Sequence, residues 1–412
     1  MTQLQQLGKR AKRASVQLLQ VTEEEKKEAL QTMARHLRDK ESFLVKENEK
    51  DIVHARENGV DEAIIDRLLL NRERLKDIAD AVDAISLLPN PLGEVIEEMT
   101  HDNGLQITRQ RVPLGVVGMV YEARPNVTVD AAALALKTSN AIILRGSSSA
   151  LHSNKALVSV MQEALRSTKV PVEAIQLIED TSYEVADEFF QMKQYLDVLI
   201  PRGSAGLIQN VVSKATVPVI ETGAGNCHMF VDESAKEEMA LNLIMNAKLQ
   251  RPSVCNAVET VLIHEQWAND YGELLVRELL AQGTEVYTND PVLQTEETKE
   301  VIEWETEFLR EAIRLKVVAS LDEALEHIAE YSTKHSEAII TEHDAHADRF
   351  LRDVDAAVVY HNASTRFTDG FEFGYGAEIG ISTQKLHARG PMGLEALTST
   401  KYIARGTGQV RQ

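Results

Sequence analysis

Residues 112–150 read VPLGVVGMVYEARPNVTVDAAALALKTSNAIILRGSSSA, and this stretch decides the fold class. Two short apolar runs, 116–121 and 142–144, flank a segment at 129–137 whose apolar residues have helical spacing. An apolar strand, a helix and a second apolar strand are typical of a parallel sheet covered by helices on both faces. The stretch therefore predicts a doubly wound α/β fold, which binds ligands beyond the carboxyl ends of its strands.

The same alternation continues after this stretch. Further apolar runs at 175–178, 198–200 and 217–220 alternate with helical segments at 150–166, 183–190 and 205–214. A second series follows Gly223, with predicted strands at 228–231 and 260–263, predicted helices at 237–248 and 267–281, and more of both over 315–360. The first ninety residues have the spacing of amphipathic helices, and 104–110 alternates like a half-buried strand. We therefore expect two α/β domains.

Composition excludes several classes of protein. The 412 residues include 64 acidic and 44 basic side chains, for a net charge of -20. This charge repels nucleic acid and anionic lipid, so we expect neither as a partner. No segment approaches the roughly 20 apolar residues of a membrane helix, and the N-terminus lacks the apolar core of a signal peptide. We therefore expect a cytoplasmic globular protein.

The cysteines and histidines show no metal-site spacing. Cys227 and Cys255 are too few for a disulfide framework, and neither belongs to a CxxC pair. His343 and His346 are predicted to share a helix, but the HExxH order is missing. We therefore predict a solvated helix face at these histidines and no structural or catalytic metal.

Two turns could bind phosphate. The triplet Arg145, Gly146, Ser147 follows the run 142–144, and Gly203 with Ser204 follows the run 198–200. A helix that begins after a strand offers backbone N–H and hydroxyl donors to an anion. One such turn alone is more often an ordinary serine-capped turn, but two on successive units favour a dinucleotide.

Three other residues are candidates for catalytic roles. Cys255, at a predicted loop-to-helix junction with an arginine nearby, is a candidate nucleophile, whereas Cys227 is predicted to be a buried thiol. Glu221 follows the run 217–220 and could act as a general base, although a loop glutamate alone is usually structural. Asn126 could cap a helix or donate to an oxyanion.

The order of these residues along the chain resembles the aldehyde dehydrogenase superfamily. Within it, the following segments closely resemble the glutamate-5-semialdehyde dehydrogenase family: VPLGVVGMVYEARPNVTVDAAALALK, NAIILRGSS, IPRGSAGLIQ, ETGAGNCHMFVD, KLQRPSVCNAVET, AEIGIST and HARGPMGLEALT. The resemblance runs from near the N-terminus to Leu397 or beyond. It implies NADPH-dependent reduction of L-glutamyl 5-phosphate to L-glutamate 5-semialdehyde with release of phosphate, the second step of proline biosynthesis.

The resemblance also implies roles for the candidate residues. Cys255 matches the nucleophile that forms a thioacyl intermediate, Asn126 matches the oxyanion-hole asparagine, and Glu221 matches the general base. Reduction of an acyl phosphate needs no water, so Glu221 is expected only to tune the thiol or to protonate the product. The implied cofactor site consists of Arg145, Gly146, Ser147, Gly203, Ser204 and Glu307, the last matching the glutamate that holds the nicotinamide ribose.

One departure from the superfamily concerns cofactor choice. Arg145 stands where the superfamily usually has a lysine that binds the adenosine ribose. Because a guanidinium can bind a phosphate with two parallel donors, we expect Arg145 and Ser147 to favour NADPH over NADH. The substrate carries two anionic groups, so its candidate partners are Arg124, Arg251 and Arg366, with His335 and Ser382 as neutral ones.

The resemblance implies a domain division and partners. Residues 1–96 and 113–222, with part of 361–395, are expected to form the NADPH-binding domain, and 223–360 the catalytic domain. An oligomerisation arm at 97–112 and 396–412 would give a dimer or tetramer, although a hairpin folded on its own domain is the alternative. Glutamate 5-kinase, which would hand over the acyl phosphate, is the expected partner enzyme.

Three other functions fit parts of the sequence. The nearest is a reductase of the same superfamily that acylates CoA, which requires a CoA site. The second is a cysteine hydrolase that pairs Cys255 with His228 or His264 and needs no reduced nicotinamide. The third is an inactive cofactor-binding or scaffold protein, which the intact Cys255, Asn126 and Glu221 disfavour.

Overall fold

The computed structural model describes residues 2–411. Its helices are α1 (Gln3–Leu18), α2 (Glu23–Asp39), α3 (Glu41–Glu57), α4 (Glu62–Leu68), α5 (Arg72–Leu87), α6 (Asn126–Lys137), α7 (Leu151–Leu165), α8 (Tyr183–Phe190), α9 (Ala205–Lys214), α10 (Glu237–Leu249), α11 (Glu265–Ala281), α12 (Leu321–Tyr331) and α13 (Asp344–Asp353). Its strands are β1 (Val95–Thr100), β2 (Gln106–Pro113), β3 (Val116–Tyr121), β4 (Ala141–Arg145), β5 (Ile175–Leu177), β6 (Val198–Arg202), β7 (Cys227–Val231), β8 (Val258–His264), β9 (Glu285–Tyr287), β10 (Ala312–Val318), β11 (Ser336–Ile340), β12 (Val358–His361), β13 (Ile381–Ser382), β14 (Gly390–Pro391) and β15 (Thr398–Arg405). No helix in this range is both long and apolar enough to span a bilayer.

The N-terminal helices form where the sequence predicts them. At the start of α2, the Thr22 hydroxyl accepts from the Glu25 N–H, and the Glu25 carboxylate accepts from the Thr22 N–H. This reciprocal capping satisfies two N–H groups that a helix end otherwise leaves unpaired. Leu30, Met33 and Leu37 of α2 are fully buried, which confirms the helical spacing of the apolar residues.

One compact unit comprises the chain up to Thr222, Gly374–Gly380 and the chain from Met392 onward. Its parallel sheet has the strand order β5-β4-β3-β6, and every residue of β3 and β4 is buried. Sheets buried on both faces need such continuous apolar strands, which is why the apolar runs at 116–121 and 142–144 predict the fold class correctly.

The strand predicted at 217–220 is wrong. Only an isolated bridge joins Val219 to Leu199 of β6. Pro218 accepts a hydrogen bond from the Leu199 N–H at 2.8 Å, but it has no N–H with which to continue a ladder. Glu221 therefore follows an extended segment beside β6 and not a full strand.

A separate antiparallel sheet in the first unit has the order β1-β2-β15. The β2–β15 register runs from Gln106 opposite Arg405 to Pro113 opposite Thr398, and all six residues of β1 are exposed. Its outer strands expose large apolar side chains, among them Met99 and Tyr402. This sheet contains most of the two segments that the sequence analysis assigns to an oligomerisation arm.

The second unit comprises Gly223–Phe373 and Ile381–Pro391. Its sheet has the order β12-β11-β7-β8-β10-β9, and all its strand pairs are parallel. The strands β7 and β8 lie at the centre and are buried almost throughout. The two parallel sheets confirm the predicted doubly wound α/β class, with β7 and β8 positioning the thiols.

Candidate active site

Arg145 ends β4 in the first unit, where the sequence predicts a phosphate-binding turn. Its side chain is 8% exposed, and its Nη2 donates to the Thr181 carbonyl oxygen at 2.7 Å. Its Nε is buried and has no hydrogen-bond partner within residues 2–411. Burial lowers the pKa of Arg145, whose guanidinium keeps a free donor.

The turn after Arg145 places backbone close to the helix that follows. A Cβ added to Gly146 would overlap the Asn154 amide, so only glycine fits there without movement of the Asn154 side chain. The hydroxyls of Ser147 and Ser149 lie 2.5 Å apart, next to a single 3-10 turn that leads into α7. The turn thus brings hydroxyl donors and a backbone of minimal bulk to the amino end of a helix.

The second predicted phosphate turn already has an anion of the protein itself. Ser204 caps α9 as predicted, through a bond from the Leu207 N–H to its hydroxyl. The Glu122 carboxylate accepts from the Ser204 N–H at 2.7 Å and from the Ser204 hydroxyl at 3.0 Å. A Cβ on Gly203 would lie 2.6 Å from that carboxylate. Sequence reasoning missed Glu122, whose role depends on β3 and β6 being neighbours.

Asn126 is the first residue of α6 and does not cap it, contrary to the capping alternative. Pro125 occupies the cap position, and no side chain makes a capping bond there. The Asn126 Nδ2 instead donates to Asp130 Oδ2 at 3.0 Å, and burial raises the pKa of Asp130 to about 6. Because an amide nitrogen carries two hydrogens, one remains for another acceptor.

Cys255 lies in a turn between α10 and β8, so the predicted loop-to-helix junction is wrong. The apolar segment that follows is a strand because it completes the centre of the second parallel sheet. Cys255 is partly exposed, whereas Cys227 is fully buried, as predicted. Burial, with the nearby Glu337 carboxylate, raises the pKa of Cys227 well above its usual value.

Two contacts fix the backbone of the Cys255 turn. Gly225 lies so close that an added Cβ would overlap the Cys255 carbonyl oxygen. The Cys227 Sγ donates to the same oxygen at 3.2 Å. Because both contacts act on the peptide group of Cys255, they set the position from which its thiol projects.

We expect Gly225→Ala to lower kcat about 100-fold, because the Cys255 peptide and its thiol must move by about 1 Å to admit the methyl group. Gly206→Ala in α9 is the matched control, since an added Cβ there meets nothing nearer than the Ser204 hydroxyl at 4.0 Å. Steady-state kinetics of both variants, with circular dichroism as a folding check, test this. Full activity in Gly225→Ala would contradict the contact.

A buried cluster of polar groups makes hydrogen bonds to Gly225 and to the residue that follows it. The Gly225 N–H donates to Glu307 Oε1 at 2.9 Å, so Glu307 holds this loop whatever its contact with a cofactor ribose. Asn226 donates to the Trp304 and Tyr331 carbonyls, each at 2.8 Å, and accepts from Arg314 Nη2 at 2.9 Å. Satisfied buried networks of this kind make a local arrangement rigid.

Two of the predicted anion partners lie at the thiol turn. Arg366 Nε donates to Gln250 Oε1 at 2.7 Å, and its Nη1 contacts the amide oxygen of Asn256. Burial and then the positive charge of Arg251 lower the pKa of Arg366, which also interacts electrostatically with the Cys255 thiol. Positive charge near a cysteine favours the nucleophilic thiolate.

The other predicted substrate residues take different places. His335 is fully buried, with Nδ1 2.8 Å from the Ser336 hydroxyl and 3.9 Å from Cys227 Sγ. Ser382 is fully buried in the short β13. Arg124 and Glu221 are partly exposed residues of the first unit. For all four, contact with substrate or a role in proton transfer stays a prediction.

A fully buried ion pair lies beneath the thiol turn. Lys248 Nζ is 3.1 Å from Glu259 Oε2, and both side chains are 0% exposed. The Phe308 N–H also donates to this carboxylate at 3.2 Å. Burial raises the pKa of Glu259 to about 7 despite Lys248, and burial lowers the pKa of Lys248. A charged residue inside the apolar run of β8 was the sequence signal for this pair.

We expect Lys248→Met to lower the free energy of unfolding by about 3–5 kcal/mol, because Glu259 stays buried without its partner. The loss should be larger at about pH 8 than at about pH 5.5. The Glu259 carboxyl has a pKa near 4.5 in the unfolded chain and about 7 in the folded protein, and without Lys248 its pKa in the folded protein is higher still. The variant therefore loses more stability than the parent protein as the pH rises through this interval.

Urea unfolding at the two pH values tests this, with Lys236→Met as the matched control. Lys236 pairs with Glu342 at the surface, where it is 70% exposed, so its loss should cost less than about 1 kcal/mol. Equal losses in the two variants would contradict the assignment of a buried charge pair.

Comparisons with known proteins find the same group of enzymes by sequence and by structure. The sequence pattern of the aldehyde dehydrogenase family matches residues 2–296. The gamma-glutamyl phosphate reductase of Geobacillus kaustophilus is 58% identical, and that of Bacillus subtilis 57% identical, each over 100% of both chains. The crystal structure of gamma-glutamyl phosphate reductase from Thermotoga maritima superimposes with a TM-score of 0.97 at 46% identity, again over 100% of both chains.

Proposed function

The chain belongs to the aldehyde dehydrogenase family and, within it, to the gamma-glutamyl phosphate reductases, and on that premise we propose that it reduces L-glutamyl 5-phosphate to L-glutamate 5-semialdehyde. The observation that carries the proposal is the partly exposed Cys255 on a turn fixed by Gly225, with Arg251 and Arg366 beside it. This arrangement suits attack on an acyl group whose leaving group is an anion.

The first chemical step is a transfer of the glutamyl group to Cys255. The thiolate sulfur attacks the acyl carbon, the C–O bond to phosphate breaks, and phosphate leaves with the bonding electrons. A thioester joins Cys255 to the glutamyl group. The guanidinium groups of Arg251 and Arg366 attract the phosphate in the substrate and stabilise the charge on it as it leaves.

Asn126 and Glu221 have supporting roles in the proposal. Asn126 donates its remaining amide hydrogen to the oxygen that becomes negative in the tetrahedral intermediates, and Asp130 fixes the amide orientation. Glu221 does not need to activate water, because the thioester is reduced and not hydrolysed. It serves to tune the thiol or to protonate the product.

The residues of the first unit fit a phosphate-bearing dinucleotide. The donors are the buried Arg145 Nε, which has no hydrogen-bond partner within residues 2–411, and the hydroxyls of Ser147 and Ser149. The minimal bulk of Gly146 allows such a cofactor to approach the backbone. When bound, reduced nicotinamide supplies the hydride that converts the thioester to the aldehyde. We propose NADPH as this cofactor, with Arg145 binding the phosphate that NADH lacks.

We expect Arg145→Ala to reduce the preference for NADPH over NADH by about tenfold or more, because the charge-assisted bonds to the extra phosphate are lost. Its kcat/KM with NADH should change much less. Parallel kinetics with both cofactors test this, and Arg145→Lys, which keeps the charge without the planar fork, should fall between the two. An unchanged preference in Arg145→Ala would contradict the assignment.

An assay coupled to glutamate 5-kinase tests the proposed reaction. Glutamate, ATP and the kinase generate the unstable acyl phosphate, and NADPH oxidation should begin only when this protein is added. Omission of ATP or of the kinase should stop it. NADPH oxidation that requires an acyl-CoA in place of the kinase would instead support the CoA-acylating alternative.

The cysteine hydrolase alternative has little geometric support. His264 lies at the far end of β8 from Cys255, seven residues or roughly 20 Å along the strand. His228 is fully buried, and its Nδ1 lies 2.9 Å from the Asn226 carbonyl oxygen.

We further propose a cytoplasmic dimer or tetramer that uses the β1-β2-β15 sheet, and hand-over of the substrate from glutamate 5-kinase.

A further inference from the structure

Carboxylates and imidazoles converge at one edge of the second parallel sheet. Asp232 and Glu233 follow β7, His264 ends β8, and His343 and His346 lie at the start of α13, just after β11. Because β11, β7 and β8 are neighbouring parallel strands, their carboxyl ends meet at this edge. This is the edge at which open α/β sheets bind ligands.

This edge is distinct from the one that carries the thiol. Cys255 precedes β8 and Cys227 begins β7, so both lie at the amino ends of these strands. The length of β8 separates the two edges by roughly 20 Å. The cluster therefore has no part in the proposed reductase chemistry.

The spacing of the side-chain atoms suits a metal ion. One ligand atom from each of Asp232, Glu233 and His346 lies within 4.8 Å of the others. His346 Nδ1 is 3.0 Å from Asp232 Oδ1, and His343 Nε2 is 4.0 Å from Glu233 Oε1. Tetrahedral ligands about 2.1 Å from a zinc ion lie about 3.4 Å apart, between these two values.

The charges at this edge also favour a cation. Across residues 2–411, the ion pairs of Asp232 and Glu233 are with histidines, not with lysine or arginine. The two carboxylates are adjacent in the chain, and Asp232 is fully buried. A divalent cation bound between the two carboxylates would offset the charge of both.

We propose that Asp232, Glu233, His343 and His346 form a binding site for a divalent transition metal ion of the zinc class. Mixed imidazole and carboxylate donors suit Zn²⁺ and its spectroscopic substitute Co²⁺. The side chains of Glu233, His343 and His346 are 30%, 53% and 35% exposed, so an ion can enter from solvent. The ion would tie the loops after β7 and β11 together.

Neighbouring groups orient the proposed ligands. The hydroxyls of Ser234 and Thr341 donate to Asp232 Oδ2 at 2.9 and 2.6 Å. His264 Nδ1 accepts from the Gln266 N–H, so in the neutral ring the proton is on Nε2, 3.5 Å from Glu233 Oε2. His264 thus positions Glu233 and is not itself a ligand.

The proposal revises the prediction of no metal. The HExxH order places two histidines and a glutamate on a single helix, whereas these ligands come from the ends of neighbouring strands. His343 is the N-cap residue of α13 and only His346 lies within the helix, and their ring centroids are 5.2 Å apart. The pairing of β7 with β11 brings the acidic pair to them.

Metal titration of the untagged full chain tests the site. The Cys255→Ala background removes the reactive thiol as a competing ligand. After treatment with a chelator, Co²⁺ should bind at one equivalent with visible absorption typical of nitrogen and oxygen ligands. Zn²⁺ should displace it and raise the Tm.

Variants locate the bound ion. The variants His346→Ala, Glu233→Gln and His343→Ala should each weaken Zn²⁺ binding by about tenfold or more. His343 has the most exposed side chain of the three, so its replacement should disturb the fold least. His101→Ala, an exposed histidine of the β1–β2 turn, is the matched control and should bind as before. Absence of stoichiometric binding, or binding equal in all variants, would overturn the proposal. Activity of His346→Ala with Cys255 intact should match the wild type, which separates this test from that of the reductase.

Discussion

Replacing Cys255 with alanine is expected to lower kcat for reduction of glutamyl phosphate by about 10⁴-fold or more, because it removes the sulfur that forms the thioester. Cys227 cannot substitute, since it is fully buried with a pKa raised well above its usual value. The kinase-coupled assay measures the loss. Circular dichroism should show an unchanged fold, because a small, partly exposed side chain is removed.

Cys227→Ala is the matched control for this experiment. It removes a thiol of the same type, together with its bond to the Cys255 carbonyl oxygen and its longer contact with His335, so we expect a loss of about tenfold or less. Mass spectrometry without a nicotinamide should find the glutamyl adduct on Cys255 in this variant. Substantial activity in Cys255→Ala would contradict the thioester.

Replacing Asn126 with alanine is expected to lower kcat by about 10²- to 10³-fold with little change in KM. An oxyanion exists only in the tetrahedral intermediates and the transition states that flank them, so its donor contributes little to substrate binding. The same kinetic assay separates kcat from KM.

Asp130→Asn is the control that keeps an acceptor for the Asn126 amide. It removes the ionisable carboxyl of Asp130, whose pKa burial raises to about 6, but preserves the orientation of the Asn126 amide. We therefore expect kcat to fall by about fivefold or less. A rise in KM with unchanged kcat in Asn126→Ala would show that Asn126 binds the substrate and does not stabilise an oxyanion.

Local patterns were enough to predict much of the fold. The helices α8 and α9 begin and end where the spacing of apolar residues indicates, and the apolar runs of β3 and β4 predict a sheet buried on both faces. The segment 217–220 has the same apolar composition but forms a single bridge. Pro218 lacks the N–H that a continuous ladder needs, and the apolar pattern alone does not reveal this.

The candidate site could be predicted less completely. Cys255 could be singled out because its neighbours match a family motif. The close approach of Gly225 to its carbonyl, and the Glu122 carboxylate at Ser204, depend on strands that lie far apart in sequence. The triplet at Arg145 indicated a phosphate turn, but the bond of its guanidinium to the Thr181 carbonyl depends on the position of α8.

The reverse reaction of the purified protein shows which acceptor releases the glutamyl group from Cys255. Glutamate 5-semialdehyde and NADP are supplied with phosphate, with CoA, or with neither, and NADPH formation is followed. We expect NADPH formation that requires phosphate and is lost in Cys255→Ala, because only phosphate can release the glutamyl thioester as the acyl phosphate. NADPH formation that requires CoA, or that proceeds with neither acceptor, would contradict this expectation.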